Sequence, residues 1–158
     1  MRTIVSLLGV GCLLVAAIGC AKGEPLTLTA IQDAQARWEA RGLHSYRMVL
    51  EIDGDLIDSG RFEVEVRHDK ITRLTRNQVA VASRDPFYTV DGFFKFLRDE
   101  LEMAADPARY WQASPGTNIH QRAHFHAWGY PTRYLRAVVG TKQNITVVVK
   151  DVQPLEAI

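Results

Sequence analysis

Three of the five histidines of this 158-residue chain stand close together, at His120, His124 and His126. A neutral imidazole binds zinc or copper through one ring nitrogen, at about 2.0–2.1 Å for zinc. His124 and His126, two residues apart on a strand, can both reach one ion. A closed zinc site takes four ligands, so a third and fourth must come from another strand or a loop. His44 and His68 are the other histidines, and nothing in the sequence places them there. Arg122 shares the parity of His120, His124 and His126 and opposes a cation on that face. Polar side chains are also what the wet face of a strand carries. The favoured reading is therefore a solvated or partner-facing strand, with no metal site and no cofactor. The alternative is a periplasmic zinc or copper binder with His120, His124 and His126 as its ligands.

Other chemistries lack their residues. There is no Gly-x-Ser-x-Gly elbow, no His-Glu-x-x-His, no phosphate loop and no dinucleotide fingerprint. Arg98, Asp99, Glu100 and Glu102 bring carboxylates together in sequence, but on a helix they are expected on the solvated side. Acid–base catalysis needs carboxylates converging on one cleft. Tyr110-Trp111 and Trp128-Gly129-Tyr130 offer rings for a sugar or peptide, although rings at strand ends more commonly fill a core. No catalytic residue is expected, and the chain is not read as an enzyme.

The N-terminus speaks for export. Arg2 is followed by an apolar stretch from Ile4 to Ile18, broken only by Ser6, and then by Gly19-Cys20. A charged start, a short apolar run and small residues at its end form a secretory signal peptide, and the run is short for a membrane span of about 20 residues. Ala17-Ile18-Gly19-Cys20 resembles the lipobox of bacterial lipoproteins, with Ala17 where leucine is more usual. That resemblance implies removal of residues 1–19, acylation of the Cys20 thiol and a membrane anchor through the lipid. Ala21 after the cysteine, rather than an aspartate, resembles the outer-membrane class of Gram-negative lipoproteins. The expected location is the cell envelope, on the outer membrane, facing the periplasm.

Processing leaves 139 residues, enough for one domain with a core of its own. Cys12 goes with the signal, so no disulfide is expected. Without Arg2, 18 basic residues face 18 acidic ones. Such a balance gives no electrostatic footprint for nucleic acid, and an envelope protein is the more natural partner.

The elements that would position these residues follow from hydrophobic period. Residues 20–26 read as the lipidated N-terminus and a short tether, and 27–158 as a single domain. Thr29-x-x-Gln32 looks like a capping box opening a helix over 29–41, with Leu28, Ile31, Ala34 or Gln35, and Trp38 as its buried stripe and Gly42 as its stop. The period then becomes two. Strands are expected over 46–52, 62–66 and 71–76, with a turn at Asp53-Gly54 and a tight connection at His68-Asp69-Lys70. Residues 77–88 read as a linker. A second helix starts after Thr89, buries Val90, Phe93, Phe94, Leu97 and Leu101, and ends at Asp106-Pro107. Three more strands run over 119–128, 132–139 and 144–152. The expectation is an α+β fold, an antiparallel sheet with helices on one face, built from two successive helix-plus-three-strand units.

Trp38 with Tyr46, Thr89-Val90-Asp91-Gly92-Phe93-Phe94, and Gly129-Tyr130-Pro131-Thr132 resemble a family of bacterial lipoproteins known as a domain of unknown function, over about residues 38 to 154. The resemblance implies export and a small α+β fold, and no activity. Many members carry a Cys-x-Cys in the first strand, where this chain has Glu51 and Asp53. Gly-Tyr-Pro-Thr also reads as punctuation in its own right: Gly129 takes a positive φ, Pro131 presets a turn and Tyr130 covers the end of the core.

Overall fold

The computed structural model describes residues 23–54 and 59–156. The expected signal peptide over 1–19, Cys20 and the start of the expected tether lie outside them. From Gly23 the chain runs straight into a two-residue strand, β1 (Glu24–Pro25), and then into α1 (Leu28–Glu39). The cap of α1 is Thr27, not Thr29: the Thr27 hydroxyl accepts a hydrogen bond from the Ala30 N–H at 3.1 Å. Moving the start by two residues turns Leu28 outward, where it is 52 % exposed, while Ile31, Ala34 and Trp38 are buried as expected. Gly42, at φ +59, follows the last turn.

Four strands come next: β2 (Tyr46–Gly54), β3 (Gly60–Arg67), β4 (Lys70–Arg76) and β5 (Val79–Ala80). Asp53 and Gly54 are not a turn, because both pair within the sheet, with Thr146 and Ile145. The β3–β4 connection is the two-residue turn His68-Asp69, with both residues at positive φ. Asn77-Gln78 repeats that geometry between β4 and β5. Such turns match the twist of the strands they join, and Asn and Asp tolerate them best among residues with a Cβ. The stretch 77–88 is thus no linker: it holds that turn, an edge strand and a short 3-10 turn at Pro86–Tyr88.

The second helix, α2 (Val90–Met103), is capped by Thr89, whose hydroxyl accepts from the Gly92 N–H at 2.9 Å. Asp106-Pro107 does not end it. Asp106 caps a further short helix, α3 (Pro107–Trp111), by accepting from the Arg109 N–H at 3.3 Å. The last strands are β6 (Ile119–Phe125), β7 (Pro131–Val138) and β8 (Ile145–Pro154). The β6 strand stops three residues earlier than the sequence suggests, because its register against β7 shifts after His124 and residues 126–129 form a turn.

All strands of the described residues join one antiparallel sheet of eight, in the order β1-β6-β7-β8-β2-β3-β4-β5. The long seam between β8 and β2 unites the two halves of the chain. On one face Tyr46, Met48, Leu50, Phe62, Val64, Val66, Tyr134, Val147 and Val149 meet Ile31, Ala34 and Trp38 of α1 and Val90, Phe93, Phe94 and Leu97 of α2 in a single apolar core. Each large side chain buried there contributes about 1.5–3 kcal/mol. The other face carries half-exposed ion pairs, among them Lys150–Glu51 at 2.8 Å and Arg67–Glu65 at 2.7 Å. Pairs this wet contribute about 0–1 kcal/mol each.

Candidate functional site

The residues of the three short motifs come together. The Trp38 ring meets Tyr46 edge-on at 5.5 Å and Tyr130 at 6.2 Å. Burial pushes the Asp91 carboxyl above the ordinary aspartate range, the charges of Asp69 and Glu39 add to the effect, and the Trp38 side chain opposes it. The Tyr46 hydroxyl accepts from the Val90 N–H at 2.9 Å. Gly129, at φ +102, lies so close to α1 that a Cβ there would sit 2.1 Å from the Ala34 carbonyl oxygen. Gly92 likewise touches the Pro86 carbonyl: an added Cβ would meet that oxygen at 1.7 Å. Every one of these residues is occupied in fastening α1 and α2 to the end of the sheet. The cluster is a structural knot.

What the knot holds up is a cleft. Gly92 against Pro86, and the Thr89 hydroxyl donating to the Pro86 carbonyl at 2.8 Å, fix the 3-10 turn beside α2. Between that turn, α2 and the ends of β2 and β8 opens a space of about 480 Å³. Ile52 and Ile145 line it from the sheet, Phe87 and Tyr88 from the turn, and Phe96 from α2. Phe87 and Phe96 meet edge-on at 5.0 Å. Polar groups stand at its border: Lys95 and Asp99 pair at 2.6 Å, and the Asp85 carboxylate is taken by the Phe87 N–H at 2.9 Å. An apolar lining with a few charges at the margin suits an apolar or aromatic group carrying a polar end. The sequence does not announce this cleft, because Phe93 and Phe96 face core and cleft from one helix and look alike as apolar residues.

Behind Phe96 lies a buried polar cluster that the sequence does not reveal. Glu100, expected on the solvated side of α2, is 1 % exposed. It binds the Arg136 guanidinium at 2.5 Å and accepts from the Tyr134 hydroxyl at 2.7 Å, while Gln121 donates to its backbone carbonyl at 2.7 Å. Arg136 also donates to the Gln143 carbonyl at 2.8 Å and lies over the Trp111 ring. Burial and the neighbouring Glu100 carboxylate both push the Tyr134 phenol far up. With Glu100, Tyr134 and Arg136 buried and paired to one another, this group ties α2 to β7, and Arg136 over Trp111 ties α3 to it. Trp111 is therefore core, 3 % exposed, whereas its neighbour Tyr110 is 44 % exposed.

The histidine strand does not assemble. His120 pairs in register with Ala137, and His124 turns outward with its Nδ1 3.2 Å from the Thr132 hydroxyl. His126 lies beyond the end of β6, at the start of the turn over 126–129, and so leaves the shared face. Its Nδ1 accepts from the Trp128 N–H at 3.1 Å and its ring stacks on Tyr130 at 4.5 Å. Arg122 points to the chain start, donating to the Gly23 carbonyl at 3.0 Å. His44 lies elsewhere, 3.0 Å from the Asp69 carboxylate. Among the described residues no group of three histidine, cysteine, aspartate or glutamate side chains could hold a metal ion. Among the same residues no helix is long and apolar enough to cross a membrane. Comparison with protein-family models and with curated proteins finds no match to this chain.

Proposed function

We propose that the chain is an exported lipoprotein of the bacterial envelope, acylated at Cys20 and held at the outer membrane, where its domain binds a partner without catalysing a reaction. The observation that carries the binding role is the aromatic cleft between Pro86–Tyr88, α2 and the ends of β2 and β8. Its lining of Ile52, Phe87, Tyr88, Phe96 and Ile145 favours an apolar side chain of an envelope protein, with Lys95 and Asp99 meeting polar groups beside it. The lipobox ending at Cys20 and the resemblance carried by Trp38, Tyr46 and the Thr89 and Gly129 motifs support the export half of this reading. Within 27–158 the order of α1 with β2, β3 and β4, then α2 with β6, β7 and β8, supports two successive helix-plus-three-strand units, with β5 and α3 as additions to them.

A soluble Cys20→Ser protein tests the cleft with an apolar dye such as N-phenyl-1-naphthylamine, which brightens on leaving water. The dye is expected to brighten with the parent protein and to lose most of that gain with Lys95→Trp, which places a ring at the mouth from an exposed position. Equal brightening by the two proteins would remove the cleft as the binding site.

A further inference from the structure

Only three residue steps separate Cys20 from Gly23, the first described residue, and a fully extended chain covers at most about 3.6 Å per residue. The Cys20 Cα is therefore within roughly 10 Å of the Gly23 Cα, with the acylated sulfur one short side chain beyond it. Gly23 is already fastened to the sheet. Its carbonyl accepts from Arg122, Glu24 and Pro25 pair with Ala123 and Arg122, and the Leu26 N–H donates to the Gln121 carbonyl at 3.0 Å. Within the tether expected over residues 20–26, Glu24 and Pro25 are thus strand and lie along β6.

We infer that the β1–β6 edge rests on the headgroup layer of the bilayer that holds the acyl chains, so that the sheet stands edge-on to the membrane. The inference rests on the acylation of Cys20 proposed above. A domain on a long tether samples every orientation, but one whose anchor enters the sheet within roughly 10 Å presents that edge first. The side chains there suit an anionic, amphipathic surface. Leu28, the apolar residue of α1 that the core leaves out, is 52 % exposed just beyond the Leu26 hydrogen bond. Arg37, Arg122 and His124 border the same edge, with Arg133 opposite His124 in register, and Glu24 and Asp33 are the acids among them. Basic residues beside an interfacial leucine are the combination that draws a surface onto lipid headgroups. At about 4.8 Å per strand, the β4–β5 edge of the eight-stranded sheet then stands roughly 30 Å further out.

The test uses the full acylated protein in vesicles of phosphatidylethanolamine and phosphatidylglycerol in equal parts, with a quencher on the headgroups. One dye is attached through His124→Cys and, in a second protein, through Lys70→Cys on the far edge. Both positions are exposed, so the fold tolerates the change. Quenching several-fold stronger at 124 than at 70 is expected, and Leu28→Asp with Arg37→Glu should reduce it. Equal quenching at the two positions, or stronger quenching at 70, overturns the orientation. Intact-mass measurement separates the two failures. An unmodified Cys20 overturns the anchoring itself, and the orientation with it, whereas an acylated chain with equal quenching overturns the orientation alone.

Discussion

The Tyr46 hydroxyl accepts a hydrogen bond from the Val90 N–H at 2.9 Å, so the first residue of a central strand holds the first residue of α2. The opening N–H groups of a helix have no partner within it, and this one is buried. Tyr46→Phe keeps the ring against Trp38 but strands the donor, which costs about 1–3 kcal/mol. Urea denaturation should show a lower midpoint with an unchanged slope. A variant as stable as the parent would show that another group satisfies Val90.

Burial pushes the phenols of Tyr46 and Tyr134 well above their ordinary range. In the unfolded chain both titrate near about 10. Above that pH the unfolded state releases protons that the folded state keeps, so their contribution is whole below about pH 10 and falls as pH rises. Melting temperature should therefore drop above about pH 10, and Tyr46→Phe should drop less steeply. Parallel pH profiles for parent and variant would refute the assignment.

Glu100 and Arg136 stabilise only as a pair. Arg136→Met alone leaves a carboxylate 1 % exposed without its cation, and breaking a buried pair costs about 3–5 kcal/mol. The double change Glu100→Leu with Arg136→Met should recover part of that loss, since both charges then leave the interior. A double-mutant cycle measures the recovery. Strictly additive costs would show the two residues to be independent.

Two glycines separate backbone strain from collision. Gly129 and Gly140 both have positive φ, but a Cβ at Gly140 meets nothing within 4 Å, whereas at Gly129 it meets Ala34 and Trp38 backbone atoms at 2.1 and 2.6 Å. Gly140→Ala should cost about 1–3 kcal/mol from the backbone alone. Gly129→Ala must also push α1 off the sheet, so its denaturation midpoint should fall further. Equal midpoints would mean that α1 shifts freely.

Hydrophobic period alone makes most of the sheet legible. Phe62, Val64 and Val66 alternate without interruption, and the fold buries each of them. The departures have local causes. Two threonines two residues apart can both cap α1, and choosing the second carries Leu28 into the core. His126 leaves its expected face because β6 ends at Phe125 and the chain turns at 126–129, a strand end that side-chain alternation does not mark. Glu100 occupies a readable position: it stands seven residues after Phe93 and three after Leu97, on the buried stripe. Arg136 likewise has the parity of Tyr134 and Val138. A lone acid on one apolar face and a lone base on another are the signal, and each looks like an exposed exception when taken singly. The cleft has no such signature, because it depends on where Gly92 lets the backbone of Pro86 come.

The seam between β2 and β8 also sets when the molecule can fold. Its two strands pair Tyr46 with Pro154 and Gly54 with Ile145, so the sheet's middle joins an early strand to the last one. Until residues 145–154 emerge, β2 has a bare inner edge and β7 lacks the strand that joins it to β2. Contacts this distant in sequence form slowly. A chain built this way can close its sheet only after its final strand has arrived.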